Sequence, residues 1–334
     1  MESSLQPTER PTFSIVVPSY NRKERLARAL NHLSQQTYPP ELLEVVVVLD
    51  GCTDGSEAML EQLRPSFPFK LQIISQAQSG PSAARNTGVK ATRGEYILFV
   101  DDDVMVIPQL IMEHWQSHRH NPRLVVVGSM SKPVDYQGST WTNWEQYILE
   151  EQYKDILSGK YAMSHRQFYT GNCSLKREWI IQAGLFDEDF KRYEDVELAC
   201  RLQALGLQFE FNPKAIGYHY VERSFESWTK THYLYGRYAV KLEREKHVKG
   251  WIEMSQKEFK GRNWITQFLS VRLFNHSRAQ KVVAWGLLQS ALLATLLKQE
   301  RVGYKAMSCT ANILYWQGFK EELNLKVPTG ETNK

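Results

Sequence analysis

Cysteine is scarce, with four in 334 residues, at Cys52, Cys173, Cys200 and Cys309. No two form a CxxC pair and none has a zinc spacing. The chain is therefore expected to keep reduced thiols in the cytosol, without a disulfide or zinc framework. An apolar signal core is also missing. Met1 to Pro11 is polar, so no secretory peptide is expected. The sequons Asn172-Cys173-Ser174 and Asn275-His276-Ser277 then carry no weight. The uncharged stretch Val282 to Leu297 is shorter than the about twenty apolar residues of a membrane span. Charge is nearly balanced at +4, so no global field calls for nucleic acid. The balance is uneven, however: Lys241 to Lys281 holds ten Lys/Arg against four Glu.

What remains is ordinary globular material, 42% hydrophobic, enough for one large domain or a catalytic domain with an appendage. Short apolar runs alternate with helical periodicity. Ser14 to Pro18 reads as a strand, followed by a turn at Ser19-Tyr20-Asn21 and a helix to Gln36 with Asn21 as its cap. Glu44 to Leu49 is a strand ending at Asp50, and Ser56 opens a helix to Leu63. Leu71 to Ser75 is a strand and Gly80 to Ala91 a helix. Tyr96 to Val100 is a strand ending in Asp101-Asp102-Asp103. A helix follows from Pro108 to His118, then strands at Leu124 to Gly128 and Gly171 to Leu175. Glu178 to Ala183 and the stretch from Glu194 to Gly206 are helices. Gln208 to Phe211 is a strand, and Ala215 to Tyr220 carries His219. Continuous apolar strands alternating with helices predict an α/β fold, a mostly parallel sheet with helices on both faces.

Ligands of such sheets sit outside the carboxyl ends of the strands. Pro18, Tyr20, Asp50 and Asp101 to Asp103 all fall there. Three adjacent aspartates repel one another. They suit a hard divalent cation completed by waters and phosphates, or simply an acidic turn leading into a helix. Glu194 and Asp195 suit a helix start on dipole grounds alone. His114 and His118 stand at i, i+4, but no HExxH accompanies them. Gly80 to Lys90 lacks the GK[ST] of a phosphate loop. Lys132 to Arg166 is long and aromatic, with a helix near Trp144 to Leu157. It suits a sugar or lipid contact and a packed lid equally.

In order along the chain, Val17-Pro18-Ser19-Tyr20-Asn21-Arg22, Val45 to Ser56, Gly80-Pro81-Ser82-Ala83-Ala84-Arg85-Asn86, Asp101-Asp102-Asp103, and Gly184-Leu185-Phe186-Asp187 followed by Glu194-Asp195 form a series. The series resembles glycosyltransferase family 2, the inverting nucleotide-sugar transferases of the Rossmann-like GT-A fold, over roughly residues 12–222. The resemblance implies a nucleotide-diphosphate sugar donor, a glycan or lipid-linked acceptor, and Mn2+ or Mg2+. It implies that Asp50 binds the base, that Pro18, Tyr20, Arg22, Arg85, Asp101 and Asp102 surround the nucleotide, and that Asp103 is the direct metal ligand. Asp101 lies beside the ribose or the metal's waters. By the same resemblance Gly171, Asn172 and Glu194 floor the donor-sugar and acceptor site, Asp195 is the catalytic base, and His219 joins the metal site. The second strand departs from the family pattern. It ends Leu49-Asp50-Gly51-Cys52, where a double Asp followed by Gly-Ser is usual. The Gln-x-x-Arg-Trp motif of processive synthases is absent, which implies one sugar per encounter.

Two other classes compete. A sugar-nucleotide nucleotidyltransferase would show a Gly-rich loop after the first strand, and Pro18 to Arg22 has no glycine. A non-catalytic sugar-nucleotide binder would not need Asp50, Asp103 and Asp195 together. Residues 223–326 are expected to be a helical, basic and aromatic region. Trp228 to Glu245 and Ala311 to Leu323 are its clearest helices, and Trp251, Phe259, Trp264, Phe268 and Phe274 lie among Lys and Arg. Val282 to Leu297 reads as a core helix, or as part of a patch that meets an anionic membrane surface. The expected location is cytoplasmic, peripheral on that face of the membrane, without nucleic acid as a partner.

Overall fold

The computed structural model describes residues 10–272 and 277–325. Phe274 and the tail after Val327 lie outside the described residues. The chain divides into two compact units. The first takes residues up to 137 together with 146–221. The second takes 138–145 and the chain from 222 onward.

Among the described residues the first unit is built on eight strands: β1 (Phe13–Ser19), β2 (Leu43–Asp50), β3 (Lys70–Gln76), β4 (Tyr96–Val100), β5 (Val104–Val106), β6 (Leu124–Ser131), β7 (Asn172–Lys176) and β8 (Gln208–His219). They form one sheet in the order β3-β2-β1-β4-β7-β6-β8-β5. β3, β2, β1 and β4 run parallel, as do β6 and β8. β7 is antiparallel to both β4 and β6, and β5 is antiparallel to β8. Val45 to Leu49 are buried because helices cover both faces of β2. Those flanking the sheet are α1 (Lys23–Leu33), α2 (Ser56–Leu63), α3 (Pro81–Ala91), α4 (Leu110–His118), α6 (Arg177–Gln182) and α7 (Glu194–Ala204).

Several details differ from expectation. The first helix is capped at Arg22 rather than Asn21, whose Oδ1 accepts from the Thr53 N–H instead, and it ends at Leu33. The last helix begins at Glu300 rather than Ala311. β5 is an extra strand of three residues directly after the aspartates. The helix expected from Pro108 begins at Leu110, whose N–H bonds the Ile107 carbonyl. The segments Gln208 to Phe211 and Ala215 to Tyr220 are one strand, with an irregularity opposite Gly128 and Ser129. The helix expected near Trp144 is α5 (Thr140–Leu157) and starts earlier. Its aromatics pack: the Tyr153 hydroxyl accepts from the Met130 N–H, and Trp144 meets Trp228 edge-on.

The second unit is helical: α8 (Phe225–Lys246), α9 (Trp251–Lys260), α10 (Trp264–Arg272), α11 (Ser277–Leu296) and α12 (Glu300–Asn324). α8 and α12 approach closely. A Cβ on Gly236 would strike the Tyr315 carbonyl, and one on Gly318 would strike that of Tyr233. Arg237 then reaches Glu322 at 2.5 Å through Nη2 and 2.6 Å through Nε. No helix of the described residues is long and apolar enough to cross a membrane.

Candidate active site

The strand directions bring the acidic residues to one edge. β1, β2 and β4 end there, after Ser19, at Asp50 and before Asp101. Because β7 runs the other way, its first residue, Asn172, pairs with Val100. The turn into β5 sets Val104 opposite His219 on β8, so Asp103 and His219 become neighbours. Each of these residues lies at or within a few residues of a strand end, where the sheet holds its backbone in place.

The triplet divides into three environments. Arg22, just past β1, bridges two members: Nη1 donates to Asp102 Oδ1 at 2.9 Å and to Asp103 Oδ2 at 2.8 Å. The Ser19 hydroxyl donates to Asp102 Oδ2 at 2.6 Å. Burial pushes the Asp102 carboxyl up to about 6, with Arg22 pulling the other way. Burial would raise Asp103 too, but His219 and then Arg22 override it and hold it at about 2. Asp103 Oδ1 lies 3.4 Å from His219 Nε2. Asp101 belongs to a second cluster. Arg85 Nη2, on α3, donates to Asp101 Oδ1 at 2.8 Å, and Arg85 Nη1 is 3.7 Å from Glu194 Oε1. The Arg85 guanidinium is buried, and its Nε and Nη1 have no hydrogen-bond partner. A buried cation with open donors is unusual, because each unmade bond is costly.

Asp195 completes that cluster at the start of α7. The residue before the pair, Tyr193, is held at φ 63°. Such a conformation costs a non-glycine residue energy and is common at functional sites. Burial and the adjacent Glu194 charge push Asp195 up to about 7, and burial raises Glu194 as well. The residue as a whole is half-buried, and its Oδ1 accepts from the Val196 N–H at 2.8 Å.

Other residues named from the sequence have different geometry. Asp50 accepts from Gln76 Nε2 at 2.7 Å and from the Ser79 and Gly80 N–H groups, each at 2.8 Å. Its carboxylate thus braces the loop entering α3. Tyr20 is exposed and Pro18 half-buried beside it. Gly171 accepts from the Asp101 N–H through its carbonyl, and a Cβ there would crowd Met130 and Asp101. The Asn172 side chain faces into the sheet. Its Nδ2 donates to the Ser129 carbonyl at 3.0 Å and the Ala215 carbonyl at 2.9 Å, so only backbone is left at the edge. Both Nδ2 protons are used, so Oδ1 accepts from His114 Nε2 at 2.9 Å. His114 Nδ1 then accepts from Ser174, which accepts from His118 Nε2, each bond 2.8 Å. Burial lowers His114 to about 4 and His118 to about 3, so both are neutral. The two histidines form a relay inside the core, not a metal face.

Ser19, inside the Pro18 to Arg22 stretch, is a partner of Asp102 that nothing in the sequence singles out. Nor does the sequence reveal the use of Cys52, whose thiol donates to the Ser19 carbonyl at 3.4 Å and accepts from the Asn21 N–H.

The donor set also tests a cation. Among the described residues no group of three or more His, Cys, Asp or Glu converges as a metal site. Asp103 and His219 offer one oxygen and one nitrogen at a spacing that adjacent ligands of one ion can take. Mg2+ or Mn2+ suits two protein ligands when phosphate oxygens and waters supply the rest, so these residues fit a cation that arrives with a diphosphate.

A sheet whose carboxyl edge gathers aspartates, arginines and a helix-start carboxylate has the GT-A architecture. The chain belongs to glycosyl transferase family 2, whose family model matches residues 14–183. It is 30% identical to the uncharacterized glycosyltransferase YfnE of Bacillus subtilis (strain 168) over 253 residues, 62% of this chain and 64% of that one. It is 37% identical over 91 residues to the poly(ribitol-phosphate) beta-N-acetylglucosaminyltransferase TarS of Staphylococcus aureus (strain Mu50 / ATCC 700699), covering 27% of this chain and 16% of that one. The alignments thus span less than two thirds of those relatives. Among solved structures, the mannosyltransferase PcManGT from Pyrobaculum calidifontis, in complex with GDP-Man and Mn2+, superposes with a TM-score of 0.66. It is 18% identical and covers 96% of this chain and 90% of that one.

Proposed function

We propose that the protein is an inverting glycosyltransferase that moves one sugar from a nucleotide-diphosphate sugar to a hydroxyl of a cell-envelope glycan or lipid-linked acceptor. The observation that carries the reading is Asp195. It is a carboxyl whose pKa burial and the Glu194 charge raise to about 7, at a helix start beside the buried Arg85. A base with pKa near the working pH is suited to take the acceptor proton. Attack from the face opposite the leaving diphosphate then inverts the anomeric centre in one displacement. Glu194 raises the basicity of Asp195 through its charge, and Arg85 offsets part of that repulsion. The open Arg85 donors favour an anionic group of the donor. Arg22 would turn from the aspartates to the diphosphate when the donor binds.

Asp103 and His219 would hold Mn2+ or Mg2+, with Asp101 beside it. The cation would supply Lewis-acid stabilisation of the leaving diphosphate. Asp50 shapes the nucleotide pocket through the loop it braces. Relatives named for poly(ribitol-phosphate) transfer support an envelope acceptor. A neighbour solved with GDP-Man and Mn2+ supports the donor class and the cation. We place the reaction on the cytoplasmic side.

The test is nucleotide release from a panel of UDP-, GDP- and dTDP-sugars, with and without Mn2+. Binding and turnover of one donor, strengthened by the cation, is expected. No binding or turnover of any donor would reject the proposal, and diphosphate release from a nucleoside triphosphate would replace it with nucleotidyl transfer.

A further inference from the structure

Two helices of the second unit turn their apolar side chains outward. On α10, Thr266 and Ser270 are buried, while Trp264, Phe268 and Val271 are exposed, Trp264 at 74%. These three recur at i, i+4 and i+7 and form one stripe. On α11, Ala284, Ala291 and Ala294 face inward and Trp285, Leu293 and Leu296 outward, Trp285 at 63%. Both helices pack on α12 through their small residues, with Gly303 lying against Ala291 and Ala294. Single exposed apolar residues are normal, but large ones repeated along a face mark a surface that something covers.

Charge identifies the cover. Between Glu258 and Glu300 the sequence holds no Asp or Glu and six Lys/Arg. Arg262, Arg272 and Lys298 are exposed beside the apolar stripes. A second copy of the chain would bring the same positive charge to the contact. Leucine and valine have nothing to offer a nucleic-acid backbone. An anionic bilayer accepts both features, apolar side chains below the headgroups and cations among them. Neither helix is long and apolar enough to cross a membrane, so each would lie along the surface.

We propose that α10 and α11 dock the protein on an anionic lipid bilayer. Only the purpose of docking, access to lipid-linked acceptors, rests on the glycosyl-transfer reading. Docking itself is tested without nucleotide, so its failure leaves that reading untouched.

The full-length chain is sedimented with phosphatidylcholine vesicles, with and without phosphatidylglycerol. Binding is expected only with the anionic lipid, and salt should weaken it. Combining Trp264→Ser, Phe268→Ser and Trp285→Ser should lower the affinity at least about tenfold through lost apolar burial. Arg262→Gln and Arg272→Gln should each lower it about fivefold. All five positions are exposed, and an unchanged melting temperature would confirm that the variants fold. Equal binding to neutral vesicles would overturn the proposal, as would a serine variant that binds like the wild type. So would a wild-type dimer that the serine changes disperse, with no vesicle binding.

Discussion

On the proposed reading, Asp195 is the residue on which the chemistry turns. Asp195→Asn keeps the shape and removes the base, so kcat should fall about 10²–10⁴-fold. Donor affinity by calorimetry should stay within about twofold, since the change spares the diphosphate contacts. Retained turnover would move the base elsewhere. In the wild type, kcat should rise as pH passes about 7, because only the ionised carboxylate accepts a proton. Arg22 gives a second test. It neutralises Asp102 and Asp103 from 2.9 and 2.8 Å, so its charge competes with any cation for the same carboxylates. Arg22→Met should therefore tighten Mn2+ binding to the nucleotide-free protein, read by electron paramagnetic resonance, while weakening donor binding. Weaker Mn2+ binding in the variant would refute the competition. At this scale the aspartates were legible, because they follow a recognisable strand. Arg22 was named as a site residue but not as a bridge between aspartates, since bridging depends on how two loops meet. The inward turn of Asn172 was hidden for the same reason. Its partners, Ser129, Ala215 and His114, come from three separate elements.

Among elements, close approaches decide stability. α8 and α12 touch at Gly236 and Gly318, where a Cβ would meet carbonyls of the facing helix. Backbone cannot yield as a flexible side chain can. Gly236→Ala should therefore destabilise the protein by about 1–3 kcal/mol by overpacking, although alanine is the better helix former. Urea unfolding would measure it, and a stabilised variant would show that the helices do not approach so closely. The existence of most helices was readable from periodicity but not their ends, since α12 starts at Glu300 rather than Ala311, and the strands β1 to β4 were readable from their apolar runs. β5 was not readable. The four residues between the acidic turn and Pro108 are too few for a period, and only pairing with β8 makes three of them a strand. The unbroken course of β8 through Asn212-Pro213-Lys214 was likewise concealed by a proline that normally ends a strand.

For the whole molecule, opposing titrations shape stability. His114, His118 and His232 are buried, and burial lowers them to about 4, 3 and 3. A lowered histidine pKa means that the unfolded chain binds protons first, so their neutral packing is intact above about 6.5 and is lost as pH falls toward those values. Asp195 acts with the opposite sign. Its pKa is raised to about 7, so the folded chain binds the proton first. That contribution is complete below about 3.9, the ordinary Asp value, and disappears as pH rises through 7. The two effects overlap between pH 4 and 6.5, where the wild-type curve alone cannot separate them. Substitution can. Asp195→Asn leaves every histidine in place and removes only the carboxylate, so the variant should gain melting temperature relative to wild type as pH rises from 5 to 8. Thermal melts of both proteins across that range would measure the difference. A gap that stays constant with pH would mean that Asp195 is not held protonated by the fold. The basis for its role as a base near neutrality would then be gone.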